Sequence, residues 1–141
     1  MAIRTADAEW RGNLAQGSGH MRLGSGTFDG PYDFRSRMGA GEGTNPEELL
    51  GAAHAGCFSM ALSAQLTQAG FAVERIHTKA QVHFEQRAGA WSIHTIDLET
   101  EAAVPGIAAA AFEEQAQTAK NKCPVSRALA GVEIRLTAKL V

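Results

Sequence analysis

The sequence predicts an α+β fold for one domain spanning residues 1–141. The first observation is that stretches with apolar residues at alternate positions are grouped before and after the helical segments instead of alternating with them. The second is a single long helix-forming stretch that is apolar or small at nearly every position. The third is a hydrophobic content of 45% without an internal repeat, which is typical of one ordinary core.

The N-terminal part of the chain predicts three short strands separated by glycine-containing turns. In the third strand, aromatic or apolar residues alternate with polar ones, which is typical of a half-buried strand that places Arg35 and Arg37 on one face. The predicted strands are Ile3–Trp10, the region around His20–Leu23, and Tyr32–Met38, with turns at Gly12-Asn13 and Asp29–Pro31.

The long helix begins near Asn45, which can cap it, and Pro46, which suits the first helical position. Glu47 and Glu48 complement the positive end of its dipole, and Gly70 is a stop signal about 23 residues later. A helix that is apolar on all sides is buried on all sides. One small sheet covers one face only, so we expect a second copy of the chain to cover the other, giving a homodimer. Cover by the chain's own later helix is the alternative.

The remainder of the chain predicts a hairpin, a second helix, a short third helix and a final strand. The hairpin strands alternate well, apart from one slip near Ile96 that suggests a β-bulge. The predicted elements are strands Ile76–Glu85 and Trp91–Leu98 around a turn at Ala88-Gly89, a helix at Ile107–Lys122 with Phe112, Ala116 and Ala119 inward, a short helix starting at Pro124, and a strand at Val132–Leu140.

Charge and composition argue against two classes of partner. The net charge is −2 and there is no run of Lys or Arg, so we expect no binding to nucleic acid or to an anionic membrane. No apolar leader follows the first residues, and the long helix is rich in Ala, Gly and Ser and carries His54 and Cys57. We therefore expect a cytoplasmic protein, in which the two cysteines need not form a permanent disulfide.

Cys57 is the first candidate for chemistry, but its position in the helix does not favour ionisation. It lies about three turns into an apolar helix, where burial raises a thiol pKa unless a cation approaches. Arg37 is the expected cation, and Glu47 is its expected carboxylate partner. Glu47 and Cys57 are ten residues apart, about 15 Å along the helix, so we expect each site to combine Cys57 of one chain with Arg37 and Glu47 of the other. Otherwise, Cys57 is packing and Glu47 only marks the helix start.

Cys123 is the second candidate, because it precedes Pro124 at the mouth of a short helix and lies near Lys120 and Lys122 in sequence. A second thiol near an oxidised Cys57 would condense with it to a disulfide. His54, Cys57 and Cys123 also permit a zinc site, although three ligands without a CxxC or HxxxH spacing are weak evidence for one.

The stretch Thr44-Asn45-Pro46-Glu47-Glu48-Leu49-Leu50-Gly51-Ala52-Ala53-His54-Ala55-Gly56-Cys57-Phe58-Ser59-Met60-Ala61, with the later Cys123-Pro124-Val125-Ser126, resembles the OsmC/Ohr family, and more closely its OsmC branch. The resemblance extends over the whole chain in element order. It implies an intertwined homodimer around long central helices, with active sites at the interface, and a peroxidase that reduces organic hydroperoxides, and hydrogen peroxide less well, in oxidative and osmotic stress defence.

The resemblance also implies a role for four residues. Cys57 corresponds to the peroxidatic cysteine, Cys123 to the resolving cysteine, Arg37 to the activating arginine and Glu47 to the glutamate that holds it. Arg35 and Arg22 are the alternative arginines, because the two branches of the family take this residue from different places.

We expect apolar neighbours of Cys57, namely Leu50, Phe58 and Met60, to accept the alkyl part of a peroxide. The resemblance implies no bound cofactor and an external dithiol of the lipoyl type as reductant. The alternative function is a non-catalytic dimer that binds small apolar molecules or acts as a stress-interaction protein.

Overall fold

The computed structural model describes all 141 residues, Met1–Val141. They form two compact units, Met1–Leu49 and Leu50–Val141, which are described in turn. The structure contains helices and two separate three-stranded sheets, so the predicted α+β class is confirmed. The single domain over 1–141 stays a prediction.

The first unit contains an antiparallel sheet of three strands in chain order, β1 (Ala6–Arg11), β2 (Ser18–Leu23) and β3 (Asp29–Tyr32). The first two strands were predicted, but the turn expected at Asp29–Pro31 is wrong. Gly30 and Pro31 pair with Met21 and His20 of β2 and therefore belong to the sheet.

The strand predicted at Tyr32–Met38 is also wrong, because the chain forms a short helix, α1 (Phe34–Arg37), directly after β3. Asp33 caps this helix: its carboxylate accepts the Ser36 N–H at 2.6 Å, while the Ser36 hydroxyl accepts the Asp33 N–H at 3.0 Å. This reciprocal capping stabilises a helical turn and overrides the alternating pattern. Arg35 and Arg37 consequently lie on a helical turn and not on one face of a strand.

The long helix α2 occupies Pro46–Gln68, which confirms the predicted helix and its length of 23 residues. The Asn45 side chain accepts the Glu48 N–H at 2.8 Å, as expected of a cap, and Gly70 ends the segment with a φ of +91°. By length and composition alone this helix could cross a membrane, a property that it shares with core helices of soluble proteins.

Only one face of α2 is buried within this chain. That face carries residues spaced three or four apart, as expected for one side of a helix: Gly51, His54, Phe58, Leu62 and Leu66. The opposite face is exposed and consists of small or apolar residues, including Ala52, Ala53, Gly56, Met60 and Ala64. The chain's own later helices therefore do not cover α2 on all sides.

The second unit contains the other sheet, with strands β4 (Arg75–Arg87), β5 (Ala90–Ala103) and β6 (Glu133–Leu140) in that order. β4 and β5 form the predicted antiparallel hairpin, whereas β6 runs parallel to β5. The predicted bulge is present: His83 pairs with Thr95 and Phe84 with Ile93, so one additional residue of β5, His94, is left between the pairs.

Two further helices, α3 (Ala109–Lys122) and α4 (Pro124–Ala128), complete the second unit. Both were predicted, as was the burial of Phe112, Ala116 and Ala119 on α3. The core of this unit combines one face of α2, the inner side of β5 and the inner side of α3. Its fully buried large side chains include Phe58, Leu62, Leu66, Ile96, Leu98 and Phe112.

Candidate active site

Cys123 lies at the junction of α3 and α4 and belongs to the cap of both helices. Its backbone N–H donates to Ala119 O at 2.8 Å, which closes α3, and Pro124 then begins α4 without needing a donor. The side chain is fully buried, and the backbone N–H groups of Val125 and Ser126 donate to its sulfur. The sequence prediction of a cysteine at a helix mouth is confirmed.

Cys57 is half-buried on α2, and its thiol is a hydrogen-bonding neighbour of Cys123. The Val125 N–H of α4 donates to Cys57 as well. Both cysteines are free thiols in this structure. Residues 66 positions apart in the chain are thus in contact, a proximity that the sequence alone does not demonstrate.

The two thiols have opposite pKa shifts. Burial raises the pKa of Cys57, the Val125 N–H partly opposes this, and the neighbouring Cys123 raises it further. Burial also opposes ionisation of Cys123, but the N–H of Ser126, the Cys57 thiol, the Ser126 hydroxyl and the Val125 N–H together lower its pKa. The rise in pKa expected for Cys57 in its apolar surroundings is therefore confirmed.

Arg37 and Glu47 form an ion pair within the first unit. The Arg37 Nη2 donates to Glu47 Oε1 at 2.7 Å, and its Nε lies 3.1 and 3.2 Å from the two carboxylate oxygens. The Glu47 side chain is only 8% exposed, whereas that of Arg37 is 36% exposed. The sequence therefore identified the carboxylate partner of Arg37, although it assigned Arg37 to the wrong kind of element.

The two alternative arginines, Arg35 and Arg22, lie in more exposed surroundings than Arg37. Arg35 is exposed on α1, and Arg22 on β2 pairs with Asp7 of β1 at 3.2 Å on an exposed surface. Of these three arginines, Arg37 is the one that the structure pairs with Glu47.

An apolar cavity of about 240 Å³ lies beside Arg37 in the first unit. The rings of Trp10 and Tyr32 are 5.5 Å apart in its wall. The lining residues are mainly aromatic or aliphatic: Trp10, Leu14, Tyr32, Phe34 and Pro46, together with Asp33 and Arg37.

The three residues expected to accept the alkyl part of a peroxide differ in how exposed they are. Phe58 is 0% exposed inside the core of the second unit, so it cannot line an open site and that prediction is wrong. Met60 is 75% exposed on the uncovered face of α2, and Leu50 is half-buried against the core. Phe58 points inward because it follows His54 by four positions on the buried stripe of the helix.

His54 and Ser126 form a buried contact that sequence reasoning missed. His54 Nε2 lies 2.8 Å from Ser126 Oγ, and the Ser126 hydroxyl also interacts with the Cys123 sulfur. His54 Nδ1 is buried without a hydrogen-bond partner. Burial lowers the pKa of His54, so the imidazole is neutral at pH 7. The spacing of His54 three residues before Cys57 was the only signal, and it was considered as a metal motif.

The structure contains no group of three or more His, Cys, Asp or Glu side chains arranged to hold a metal ion. The zinc site considered for His54, Cys57 and Cys123 is therefore not formed, because His54 directs Nε2 to a serine hydroxyl.

Comparison with known proteins relates this chain to one family. The family model described as OsmC-like protein matches residues 39–137. The chain is 45% identical over 127 residues to Peroxiredoxin OsmC of Escherichia coli (strain K12), a match that covers 89% of each protein. It is 32% identical over 101 residues to the Organic hydroperoxide resistance protein of Xanthomonas axonopodis pv. citri (strain 306), covering 69% of this chain and 68% of that protein.

Solved structures share the fold. A crystal structure of an OsmC organic hydroperoxide resistance protein from Legionella pneumophila has a TM-score of 0.77 at 23% identity and covers both chains completely. That of OhrB, the organic hydroperoxide resistance protein of Bacillus subtilis, has a TM-score of 0.73 at 25% identity and covers 97% of this chain and 98% of that one. The family match over most of the chain and the 45% identity lead to one conclusion: this chain is a member of the OsmC family.

Proposed function

We propose that this protein is a thiol peroxidase that reduces organic hydroperoxides to alcohols, with Cys57 as the peroxidatic and Cys123 as the resolving cysteine. The contact between two free thiols from different helices carries the proposal. The names of its relatives, a peroxiredoxin and an organic hydroperoxide resistance protein, support the same activity.

The reaction has two thiol steps and one reductive step. The Cys57 thiolate attacks the distal oxygen of ROOH, the O–O bond breaks, and the alkoxide takes a proton to leave as ROH, so Cys57 becomes a sulfenic acid. Cys123 then attacks the Cys57 sulfur as a thiolate, and the hydroxide that departs takes a proton from solvent to form water. An external dithiol, for which we favour a lipoyl type, reduces the resulting disulfide and is itself oxidised to a disulfide.

The raised pKa of Cys57 within one chain requires a cation for the first step. We propose that a second copy supplies it, with its Arg37 held by its Glu47. Glu47 and Cys57 are ten residues apart on α2, which amounts to about 15 Å along the helix. The exposed apolar face of α2 supports dimerisation through this helix. Arg37 would also stabilise the negative charge that develops on the peroxide oxygens.

The proposed preference for organic peroxides rests on the apolar cavity beside Arg37. Hydrogen peroxide has no apolar part to bury there, whereas an alkyl or aryl hydroperoxide gains from leaving water. The location in the cytoplasm and the role in oxidative and osmotic stress remain predictions, and two free thiols are compatible with a reducing compartment.

A peroxide-consumption assay tests the proposal against the alternative of a non-catalytic binding protein. Reduced wild-type protein is mixed with cumene hydroperoxide and dihydrolipoamide, and the remaining peroxide is measured over time beside Cys57→Ser. We expect repeated turnover by the wild type and none by the variant. A wild-type protein that leaves the peroxide intact would refute the enzyme and favour the binding protein.

A further inference from the structure

Ser126 occupies the position between His54 and Cys123, so its single hydroxyl proton decides how the three groups interact. Its Oγ is 2.8 Å from His54 Nε2, and the hydroxyl also contacts the Cys123 sulfur. A hydroxyl can donate only one hydrogen bond while accepting two. It can stabilise a thiolate on Cys123 only if it donates to the sulfur and accepts from the imidazole.

The surroundings of His54 favour that direction. The imidazole is fully buried and neutral, so one of its two nitrogens carries a hydrogen. Nδ1 has no acceptor within reach, whereas Nε2 faces the Ser126 oxygen. Orphaned buried N–H donors are rarer in proteins than underused acceptors, so the hydrogen is best placed on Nε2.

We infer that His54 Nε2–H donates to Ser126 Oγ, and Ser126 Oγ–H donates to the Cys123 sulfur, so that this fixed chain holds Cys123 as the thiolate that attacks oxidised Cys57. The inference rests on the proposed function and adds two positioning residues to it. In this step the Cys123 sulfur forms a bond to the Cys57 sulfur, the S–O bond of the sulfenic acid breaks, and hydroxide leaves as water after taking up a proton.

No other ionisable group near Cys123 takes the place of Ser126 as the hydroxyl donor to its sulfur. From α2 the titratable neighbours are Cys57 and His54. On α3, Lys122 Nζ donates to Gln65 Oε1 at 3.0 Å and Lys120 Nζ lies 3.4 Å from Ile134 O. Arg127 of α4 lies with Lys120 along an open groove next to Ser126. The side-chain hydrogen bonds to the Cys123 sulfur come from Cys57 and Ser126, not from a cation.

The test measures the ionisation of Cys123 directly, without peroxide. In a Cys57→Ser background, the ultraviolet absorbance of the Cys123 thiolate is recorded against pH for the parent protein and for Ser126→Ala, His54→Leu and His54→Gln. We expect the first two variants to shift the profile to higher pH. His54→Gln should leave the profile closer to that of the parent protein, because its amide N–H reaches a position similar to that of Nε2. Ser59→Ala is the matched control, since the Ser59 hydroxyl bonds to Ala55 O and Thr78 instead.

A second measurement follows the resolving step itself. With Cys57 present, stopped-flow after one equivalent of hydroperoxide should show disulfide formation slowed about tenfold in Ser126→Ala, since a hydrogen bond to a charged group contributes about that factor. Unchanged absorbance profiles in Ser126→Ala and His54→Leu would overturn the inference. If the wild type does not react with hydroperoxide, the proposed function fails, and the peroxide-free profiles still decide whether the hydrogen-bond chain exists.

Discussion

The Arg37–Glu47 pair allows stability and reactivity to be tested separately. Arg37→Met removes three close N···O contacts of 2.7 to 3.2 Å and leaves a nearly buried carboxylate behind. Breaking a fully buried pair costs about 3–5 kcal/mol, and exposed pairs contribute about 0–1 kcal/mol. Because Arg37 is 36% exposed and Glu47 is 8% exposed, we expect Arg37→Met to lower the free energy of unfolding by about 2 kcal/mol.

A double-mutant cycle isolates the contribution of the pair. Glu47→Gln keeps the shape of the side chain and one acceptor oxygen. It should therefore lower the free energy of unfolding less, by about 1 kcal/mol. The double variant should lose less free energy of unfolding than the two single variants together. The difference, which is the coupling energy between Arg37 and Glu47, should be about 1 kcal/mol or more. Urea unfolding is measured at one fixed protein concentration, because the stability of the proposed dimer would depend on that concentration. Additive losses would refute the structural role of the pair.

The same variants test activation of Cys57. We expect Arg37→Met to lower the rate of reaction with cumene hydroperoxide by about 100-fold, as observed when one stabilising donor is removed from other active sites. Arg35→Met is the matched control, because this neighbouring arginine is exposed and should leave the rate unchanged. An Arg37→Met protein that reacts at the wild-type rate would show that another cation activates Cys57.

Three further predictions concern the core, the buried histidine and the uncovered helix face. Phe112→Ala should lower the free energy of unfolding by about 3–4 kcal/mol, measured in urea, because the side chain is only 2% exposed. The folded pKa of His54 is lowered, so the unfolded chain binds its proton more readily. Stability should therefore fall as the pH decreases below about 6.5, less steeply in His54→Gln; parallel curves for the two proteins would contradict this. Met60→Asp should shift the protein from dimer to monomer in sedimentation, whereas Ala110→Asp on exposed α3 should not, and identical sedimentation of both would argue against dimerisation through α2.

Local signals in the sequence were sufficient for α2, the hairpin and the C-terminal helices. Asn45 and Gly70 mark the ends of α2, and they act within a few residues of their positions. The segment after β3 was mispredicted because alternation and capping favour different structures there. The capping contacts between Asp33 and Ser36 prevail over a strand-like pattern that is only a few residues long.

The site itself was only partly predictable. The Arg37–Glu47 pair followed from the need of a buried cation for a carboxylate, and Cys123 followed from its place before Pro124. The contacts between α2 and α4 depend on tertiary packing, which brings Ser126 next to a histidine 72 positions away. No short-range pattern encodes such a contact, so the contact between His54 and Ser126 could not be read from the spacing of His54 to Cys57.

Peptide mass spectrometry after oxidation shows which bond the Cys57 and Cys123 sulfurs form. Isotope-labelled and unlabelled protein are unfolded and refolded together so that dimers contain both, and the mixture is then treated with one equivalent of cumene hydroperoxide, blocked with an alkylating agent and digested. We expect the Cys57 and Cys123 peptides to become linked by a disulfide, and both linked peptides to carry the same isotope label. Cys57 oxidised to the sulfinic acid without a link to Cys123, or both thiols alkylated as if no peroxide had been added, would contradict the proposed reaction.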